Sequence, residues 1–540
     1  MYQKARGIEG VCFAKSGRVI DIHNNYLQNK IQDGKTKIQK VYKTLLNEED
    51  YGIISAMLVG DKQDLSKEIK KLYQKQGMAH ILSISGLHIS MLGMGFFQIL
   101  RKLKLKLSFA TGLTIGFLFL YGMLTGFALS TIRAIIMLII KLFATIFGKT
   151  YDSISAIAIS ALILLMKQPV RIFDSGFLLS YGAVFGVFCV SSALVQLINK
   201  EGGKIYIRIK EAFFMSLGIQ LATLPIVLNF YYEVPLYAPI MNLILLPFMS
   251  LLVGQALIGG VIGCFSLTLG KFLLGGVHYQ LLAMKNVMEY ASKLPFATLI
   301  LGKPAKVQII LYYSILLSIL GVVWCIITIR KEDKEAEGIW DSFRMIKGTV
   351  KSQHVVKEKY LMQQQQKNMT SMVETTYLHM KPYFYPVLKK LDYYSPKLSD
   401  VMLRISRRKR LDEIVIALCV CLGIILASRP IKGLRVTMLD VGQGESICLE
   451  EESGITILVD AGSSSISMVG TYRILPYLKA RGHKALDYLI LTHMDEDHIN
   501  GVKELYEEEY PIQHLIVSKV VEQEDSFIEL LDYSNKILYN

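Results

Sequence analysis

The sequence predicts a polytopic α-helical membrane protein followed by a smaller, partial α/β domain. Three observations carry that reading. Hydrophobic residues make up 52% of the 540 and charged residues only 19%, against roughly 25% charged in an ordinary soluble domain. The apolar residues gather into runs long enough to cross a bilayer, which takes about 20 residues per helix. After Pro430 the long apolar runs give way to short alternating stretches of period two.

The same composition excludes other classes. The 41 Gly and 13 Pro show no period, and seven Cys are scattered along the chain, so collagen, disordered and disulfide-scaffold proteins are ruled out. Cys12, Cys189, Cys264, Cys325, Cys419, Cys421 and Cys448 read as small buried hydrophobes. The net charge of +15 is divided: residues from 432 onward hold nine Lys and Arg against 19 Asp and Glu, and the rest of the chain carries +25. A basic excess of that size faces anionic lipid, nucleic acid or the cytoplasmic side of a membrane.

Taken in order, residues 1–34 are polar, with no cleavable signal peptide expected. Residues 8–22 (IEGVCFAKSGRVIDI) alternate and read as a strand pair turning at Ser16-Gly17. A Lys-rich helical stretch follows over 35–76. Apolar runs then lie at about 79–100, 107–124, 129–147, 152–166, 173–197, 211–230, 237–263, 267–290, 308–329 and 413–428, which gives nine or ten spanning helices. Pro239 and Pro247 mark the seventh run as a candidate broken helix. The expected domains are therefore a lead-in over 1–76, a membrane domain over 77–329, a basic loop over 330–412, a last span over 413–429 and an α/β domain over 430–540.

Orientation follows from basic loops. The connections at 101–106 (RKLKLK), 199–210 (NKEGGKIYIRIK) and 330–412 all fall on one side, and the last carries 18 Lys and Arg against 10 Asp and Glu. That side is the cytoplasm by the positive-inside rule, so residues 1–76 and 430–540 are both expected outside. The basic run Arg407–Arg410, with Tyr393 and Tyr394 upstream, reads as a topology anchor or as a nucleic-acid-handling arm. In the C-terminal part, 434–441, 446–450, 455–460 and 488–491 read as strands and 473–481 as a helix.

The sharpest chemical signal is Thr492-His493-Met494-Asp495-Glu496-Asp497-His498, directly after an apolar strand. Imidazoles and carboxylates alternating through a turn converge on one spot and suit Zn²⁺ or Mn²⁺. Two such metals activate a water and stabilise the leaving oxygen of a phosphodiester. In the membrane part, His80, Ser83, Ser85, His88 and Ser90 are expected in one otherwise apolar helix. Polar groups there face the bundle interior or a water-filled path. Arg133 is read as a phosphate-contacting fork or as the neutraliser of a buried carboxylate, Asp174 or Glu233. Asn242, between the two prolines, lines the path or satisfies freed backbone in a broken helix.

Residues 458–462 (LVDAG) followed by 492–498 (THMDEDH) resemble the metallo-β-lactamase fold, whose metal motif is His-x-His-x-Asp-His; Asp495 stands where the commonest motif has its second His. Residues 439–445 (LDVGQGE) are similar to the variant fused to membrane competence proteins. Residues 77–88 (GMAHILSISGLH), 124–137, 175–184 and 220–247 resemble ComEC-type DNA-internalisation channels, and 5–22 resemble the tail of that family's extracellular OB-type domain.

The resemblance implies a short OB-type remnant at the amino end, a competence-type membrane channel and a partial α/β metallo-β-lactamase-like domain. It implies that His493 and Asp495 hold one metal and Asp497 and His498 the other, with Asp497 and His493 catalytic and Asp460 orienting the site. It further implies Arg133, His80, His88 and Asn242 along the DNA path. The expected function is import of single-stranded DNA through a bacterial cytoplasmic membrane during natural transformation, with degradation of the other strand outside. Expected partners are single-stranded DNA, the lipid bilayer, an extracytoplasmic DNA receptor, a cytoplasmic motor and a second copy of the chain.

The family's later ligands, a further His and a bridging Asp, would lie well beyond His498. Only 42 residues follow it, with His514 too close by family spacing. A gene fragment, a split protein and a decayed copy all fit that pattern. The competing class is a membrane transport or scaffold protein whose metal loop is inactive. An acidic domain also repels DNA unless metals offset its charge.

Overall fold

A computed structural model describes residues 26–84, 86–197, 203–346, 421–427 and 432–518. The expected strand pair at 8–22, Ser85 and most of the basic loop lie outside these residues, as does the last span apart from helical residues 421–427. The chain divides into two compact units. The first comprises Met1–Thr223, Pro235–Ala297 and Leu317–Ile416; the second comprises Leu224–Val234, Thr298–Leu316 and Ala417–Asn540.

The first unit is helical. Its elements are α1 (Tyr26–Leu45), α2 (Glu48–Ile54), α3 (Lys67–Lys75), α4 (Gly86–Lys102), α5 (Leu107–Leu124), α6 (Leu129–Ile146), α7 (Ser153–Lys167), α8 (Ser175–Phe185), α9 (Ser192–Leu197), α10 (Lys204–Tyr231), α11 (Ala238–Gly263), α12 (Leu267–Ser292) and α13 (Lys306–Ile346), of which α10 and α13 run on into the second unit. Among the described residues six helices are long and apolar enough to cross a membrane: α5, α6, the α8–α9 run, α10, α11 and residues 306–328 of α13. The ten expected runs differ from this set for physical reasons. The first run does not start at 79, because residues 79–84 form turns and α4 begins only at Gly86. Helix α7 is a 15-residue apolar helix, and α12 carries Lys271, His278, Lys285 and Glu289 among its apolar residues. Helix α13 continues past the expected boundary at 329 to Ile346, because KEDKEAEGIWDSF is rich in helix formers and Lys/Glu pairs. Pro247 leaves α11 continuous from Ala238 to Gly263.

A π-helical turn (Gly186–Ser191) joins α8 to α9. It sits where the helix crosses α10 closely: Ser191 Oγ donates to Met215 O, and a Cβ on Gly218 would meet Ser191 at 2.5 Å. A widened turn re-aims the chain at such a crossing.

The stretch from Lys35 to Gln76 does not stand apart from the bundle at residue 76. Tyr42 is buried and donates its hydroxyl to Ala256 O in the last third of α11 (3.0 Å). Gly260 and Gly263 make the room: added Cβ atoms would lie 2.3 Å from Tyr42 Oη and 2.4 Å from Val41. Val41, Tyr42, Ile53, Ile54 and Met57 share one core with Leu245, Leu252, Leu274 and Leu281. Across the same contact Lys285 pairs with Glu49 (2.8 Å) and His278 Nδ1 lies 2.6 Å from Asp50 Oδ2. The lead-in is thus part of the helical unit.

The second unit holds two sheets. A two-stranded sheet pairs β1 (Glu233–Pro235) with β2 (Thr298–Ile300). The larger sheet has the order β3 (Arg435–Met438), β4 (Ile447–Glu450), β5 (Thr456–Val459), β6 (Leu486–Leu491), β7 (Ile512–Val517). Its first three strands are antiparallel, and β5, β6 and β7 are parallel. Parallel neighbours need crossovers: α14 (Leu475–Arg481) joins β5 to β6, and α15 (Glu496–Glu507) joins β6 to β7. Leu458, Leu486, Leu489, Leu478, Val502 and Leu505 are fully buried between sheet and helices, each contributing about 1.5–3 kcal/mol by leaving water. The α/β class and the strands before residue 492 match expectation; α15 and β7 are additional elements.

Candidate metal centre

The parallel strands β5 and β6 both end at the same edge, and the loops that leave them meet there. Thr492 follows β6 directly, Asp495 precedes α15, and Asp497 and His498 occupy its first turn. Asp495 makes no capping bond and stays largely exposed, so its carboxylate is free for other work. His493 Nε2 lies 3.5 Å from Asp495 Oδ2, and His498 Nε2 lies 3.9 Å from Asp497 Oδ2. The two imidazole rings are tilted at 49° to each other with centroids 3.6 Å apart. The four side chains singled out in the THMDEDH loop thus lie in two neighbouring His–Asp pairs.

Asp460 anchors these pairs from the end of β5. It is fully buried. Its Oδ1 accepts from Thr492 N (2.9 Å), and its Oδ2 accepts from the Thr492 hydroxyl (2.6 Å) and faces His498 Nδ1 at 3.0 Å. A carboxylate only accepts, so the proton of His498 belongs on Nδ1 and the lone pair on Nε2, toward Asp497. Asp460 itself sits at φ +54°, a left-handed conformation uncommon for a residue with a side chain. Strain of this kind persists where surrounding structure imposes it, and here Asp460 N donates to Ile490 O while Ala461 N donates to His498 O. Gly462 is required: a Cβ there would come within 2.4 Å of Asp497 and His498 backbone.

Two contributors had no role assigned from sequence. Asn500 clamps the β5 loop, its Nδ2 donating to Ser463 O and its Oδ1 accepting from Ser463 N. Glu445 offers a carboxylate oxygen that lies, with one ligand atom each of Asp460 and His498, in a group whose members are all within 4.8 Å of one another. The only signal for Glu445 was its place in the glycine-rich LDVGQGE motif.

The chemistry of the donor set fits a divalent cation. One imidazole and two carboxylates converge, and that imidazole is oriented by a buried carboxylate.

The membrane-part candidates lie on separate elements. His80 lies on the turn before α4, its Nδ1 3.2 Å from Gly77 O, and Ser83 donates to His80 O; the helix expected around them starts later. His88 is buried in α4. Arg133 is buried in α6, with its guanidinium 5.6 Å from the Tyr181 ring centre and its Nε without a hydrogen-bond partner. Neither carboxylate weighed as its neutraliser serves: Asp174 caps α8 at Phe177 N, and Glu233 pairs with Lys479 (2.8 Å). Asn242 donates to Ser216 Oγ in α10 (2.9 Å), not to freed backbone.

Fold and site define a class: a multi-pass helical membrane protein joined to an α/β domain with a metal-type loop at the carboxyl edge of its parallel strands. Comparison with known proteins carries this to families. Residues 57–325 match the Competence protein family, and residues 439–528 match the Metallo-beta-lactamase superfamily. Residues 57–325 are thus a competence-protein domain and residues 439–528 a metallo-β-lactamase domain, and the latter implies a divalent metal. It is 25% identical over 525 residues to ComE operon protein 3 of Bacillus subtilis, covering 92% of this chain and 56% of that protein. It is also 25% identical over 500 residues to Recombination protein 2 of Haemophilus influenzae, covering 89% and 55%. The chain thus spans about half the length of these relatives. No solved structure matches it.

Proposed function

We propose that this chain imports single-stranded DNA through the bacterial cytoplasmic membrane in natural transformation and that its α/β domain is a metal-dependent nuclease. The observation that carries this reading is one chain holding both a competence-protein domain and a convergent His/Asp centre of metallo-β-lactamase type. His493 and Asp495 would hold one ion and Asp497 and His498 a second, with Zn²⁺ or Mn²⁺ suited to the set. When bound, such ions supply Lewis-acid stabilisation of the charge that develops on a phosphodiester. The chain's own part is positional. Asp460 keeps His498 in the tautomer that aims Nε2 outward, and the Thr492 hydroxyl, 2.9 Å from His493 Nδ1, orients the other ring. Asp497 stays partly exposed, where it can take a proton from an attacking water.

The α/β domain is proposed to lie outside the cell. In support, α14 meets β1 and the segment after β2, where Lys479 pairs with Glu233 and Lys303 N donates to Ala480 O (2.7 Å). The basic-loop pattern favours the outside for the 231–236 and 291–307 connections as well. This contact lies at the end of α14 that leads into the start of β6, and the metal loop leaves that strand's far end. Six residues of strand set the two about 20 Å apart, so the centre lies at the far end of the sheet from Glu233 and Lys303. Arg133, buried with no carboxylate partner among the described residues, is proposed to contact the DNA backbone.

The purified full chain with Mn²⁺ or Zn²⁺ should cut labelled DNA, and Asp497→Ala should abolish cutting. Absence of cutting with metal bound would favour the second reading, a transport or scaffold protein whose metal loop is inactive. That reading draws on the domain's nine Lys and Arg against 19 Asp and Glu, a balance that repels DNA.

A further inference from the structure

We infer that Glu445 is a further carboxylate ligand of the divalent-metal centre, delivered by the glycine loop that precedes β4. The inference rests on the metal-centre reading above and extends it to a residue outside the THMDEDH loop.

The loop's backbone explains why the motif needs its glycines. Gly442 has φ +76° and Gly444 φ +155°. A Cβ on Gly444 would lie 2.4 Å from Gly462 O and 2.7 Å from Asp497 O. The chain therefore passes between the loop after β5 and the first turn of α15 with no space for a side chain. It is tied on both sides: Glu445 N donates to Asp497 O (3.4 Å) and Gly462 N donates to Glu445 O (3.2 Å). This lacing sets the Glu445 side chain over the edge of the sheet, where one of its carboxylate oxygens groups with ligand atoms of Asp460 and His498 within 4.8 Å.

Three features point to a cation there. Glu445 is exposed, so an ion and its remaining water ligands have access. Among the described residues its carboxylate has no hydrogen-bond or ion-pair partner of its own. The nearby Asp460 is a second carboxylate, already using Oδ2 on Thr492 and His498, and like charges held this close call for a positive ion beside them. A further hard oxygen donor also moves the set away from the nitrogen- and sulfur-rich environment typical of zinc and toward Mn²⁺.

The test uses the full chain in detergent, with Mn²⁺ alone as probe, followed by electron paramagnetic resonance of free and bound ion. Glu445→Gln keeps the side chain's shape and is expected to weaken Mn²⁺ binding at least ~10-fold, the scale seen when a group supporting a metal site is lost. Asp440→Asn, an exposed acid just upstream that pairs with Arg473, is expected to leave binding unchanged. Co²⁺ substitution supplies the readout for direct ligation: its visible absorption should change in Glu445→Gln. If the wild type binds neither Mn²⁺ nor Zn²⁺, the metal-centre reading itself fails. If the wild type binds and Glu445→Gln binds within threefold of it, or binds more weakly with an unchanged Co²⁺ spectrum, Glu445 is not a ligand and the centre stands without it.

Discussion

Replacing Asp460 with Ala tests the site's architecture most sharply. The substitution removes three contacts at once: those from Thr492 N (2.9 Å), the Thr492 hydroxyl (2.6 Å) and His498 Nδ1 (3.0 Å). The hydroxyl can turn to His493 Nδ1, which lies 2.9 Å away. Thr492 N and His498 Nδ1 have no such recourse, and an orphaned buried donor costs about 1–3 kcal/mol. Ala is no better suited than Asp to the φ of +54° there, so no strain is relieved. A loss of about 3 kcal/mol follows, which is roughly 150-fold in a local opening equilibrium. Hydrogen exchange read by mass spectrometry on peptides from β6 and α15, in the full chain in detergent, measures it directly. Peptides from α11 serve as the internal control. Acceleration of about 100-fold confined to β6 and α15 is expected; less than about fivefold would refute the role given to Asp460. Asp460→Asn tolerates the same backbone but presents an amide to His498, so it should spare exchange rates largely and lower metal affinity about 10–100-fold.

Other perturbations test other parts. Lys303→Cys with Ala480→Cys, placed where a backbone bond of 2.7 Å joins the two segments, should form a disulfide in intact membranes; no cross-link would overturn the contact. Gly260→Ala, whose Cβ would sit 2.3 Å from Tyr42 Oη, should destabilise the helical unit by more than Tyr42→Phe, which removes one buried bond worth about 0.5–1.5 kcal/mol; equal detergent stability of the two variants would count against the close packing. Burial, with the Glu450 charge second, pushes the Cys448 thiol up to about 12 from an ordinary 9.0. An acid raised in this way keeps its proton, so iodoacetamide at pH 8.5 should leave Cys448 unmodified until the domain unfolds. By the same sign this thiol's contribution to stability is complete below about pH 9 and is lost as pH rises toward 12.

Much of the fold could be read from the residues because its signals are periodic and local. Apolar runs marked the helices, and alternation after Pro430 marked β4 and β5. Three departures have separate causes. The start of α4 was missed because 79–84 is apolar enough to continue a helix, yet it turns. Helix α1 was read only as part of a Lys-rich lead-in ahead of the membrane domain, because Lys dominates its composition, while Val41 and Tyr42 reach α11 by a tertiary fit that Gly260 and Gly263 permit. Residues 496–507 hide a helix because their acids mask the apolar positions Ile499, Val502 and Leu505.

The candidate centre was legible where ligands crowd a short loop, from His493 to His498. Glu445 was not, since nothing in spacing reveals that residues 444 and 497 touch. The partner of Arg133 was also beyond reach: proximity in a bundle is set by helix crossings, which left Asp174 to a helix cap and Glu233 to Lys479.

The most direct test of the proposed import is uptake of labelled DNA by cells lacking this gene. Deletion should abolish internalisation of label, the wild-type chain should restore it, and Arg133→Ala, expressed and inserted at wild-type level, should not. Unchanged uptake after deletion would contradict the proposal.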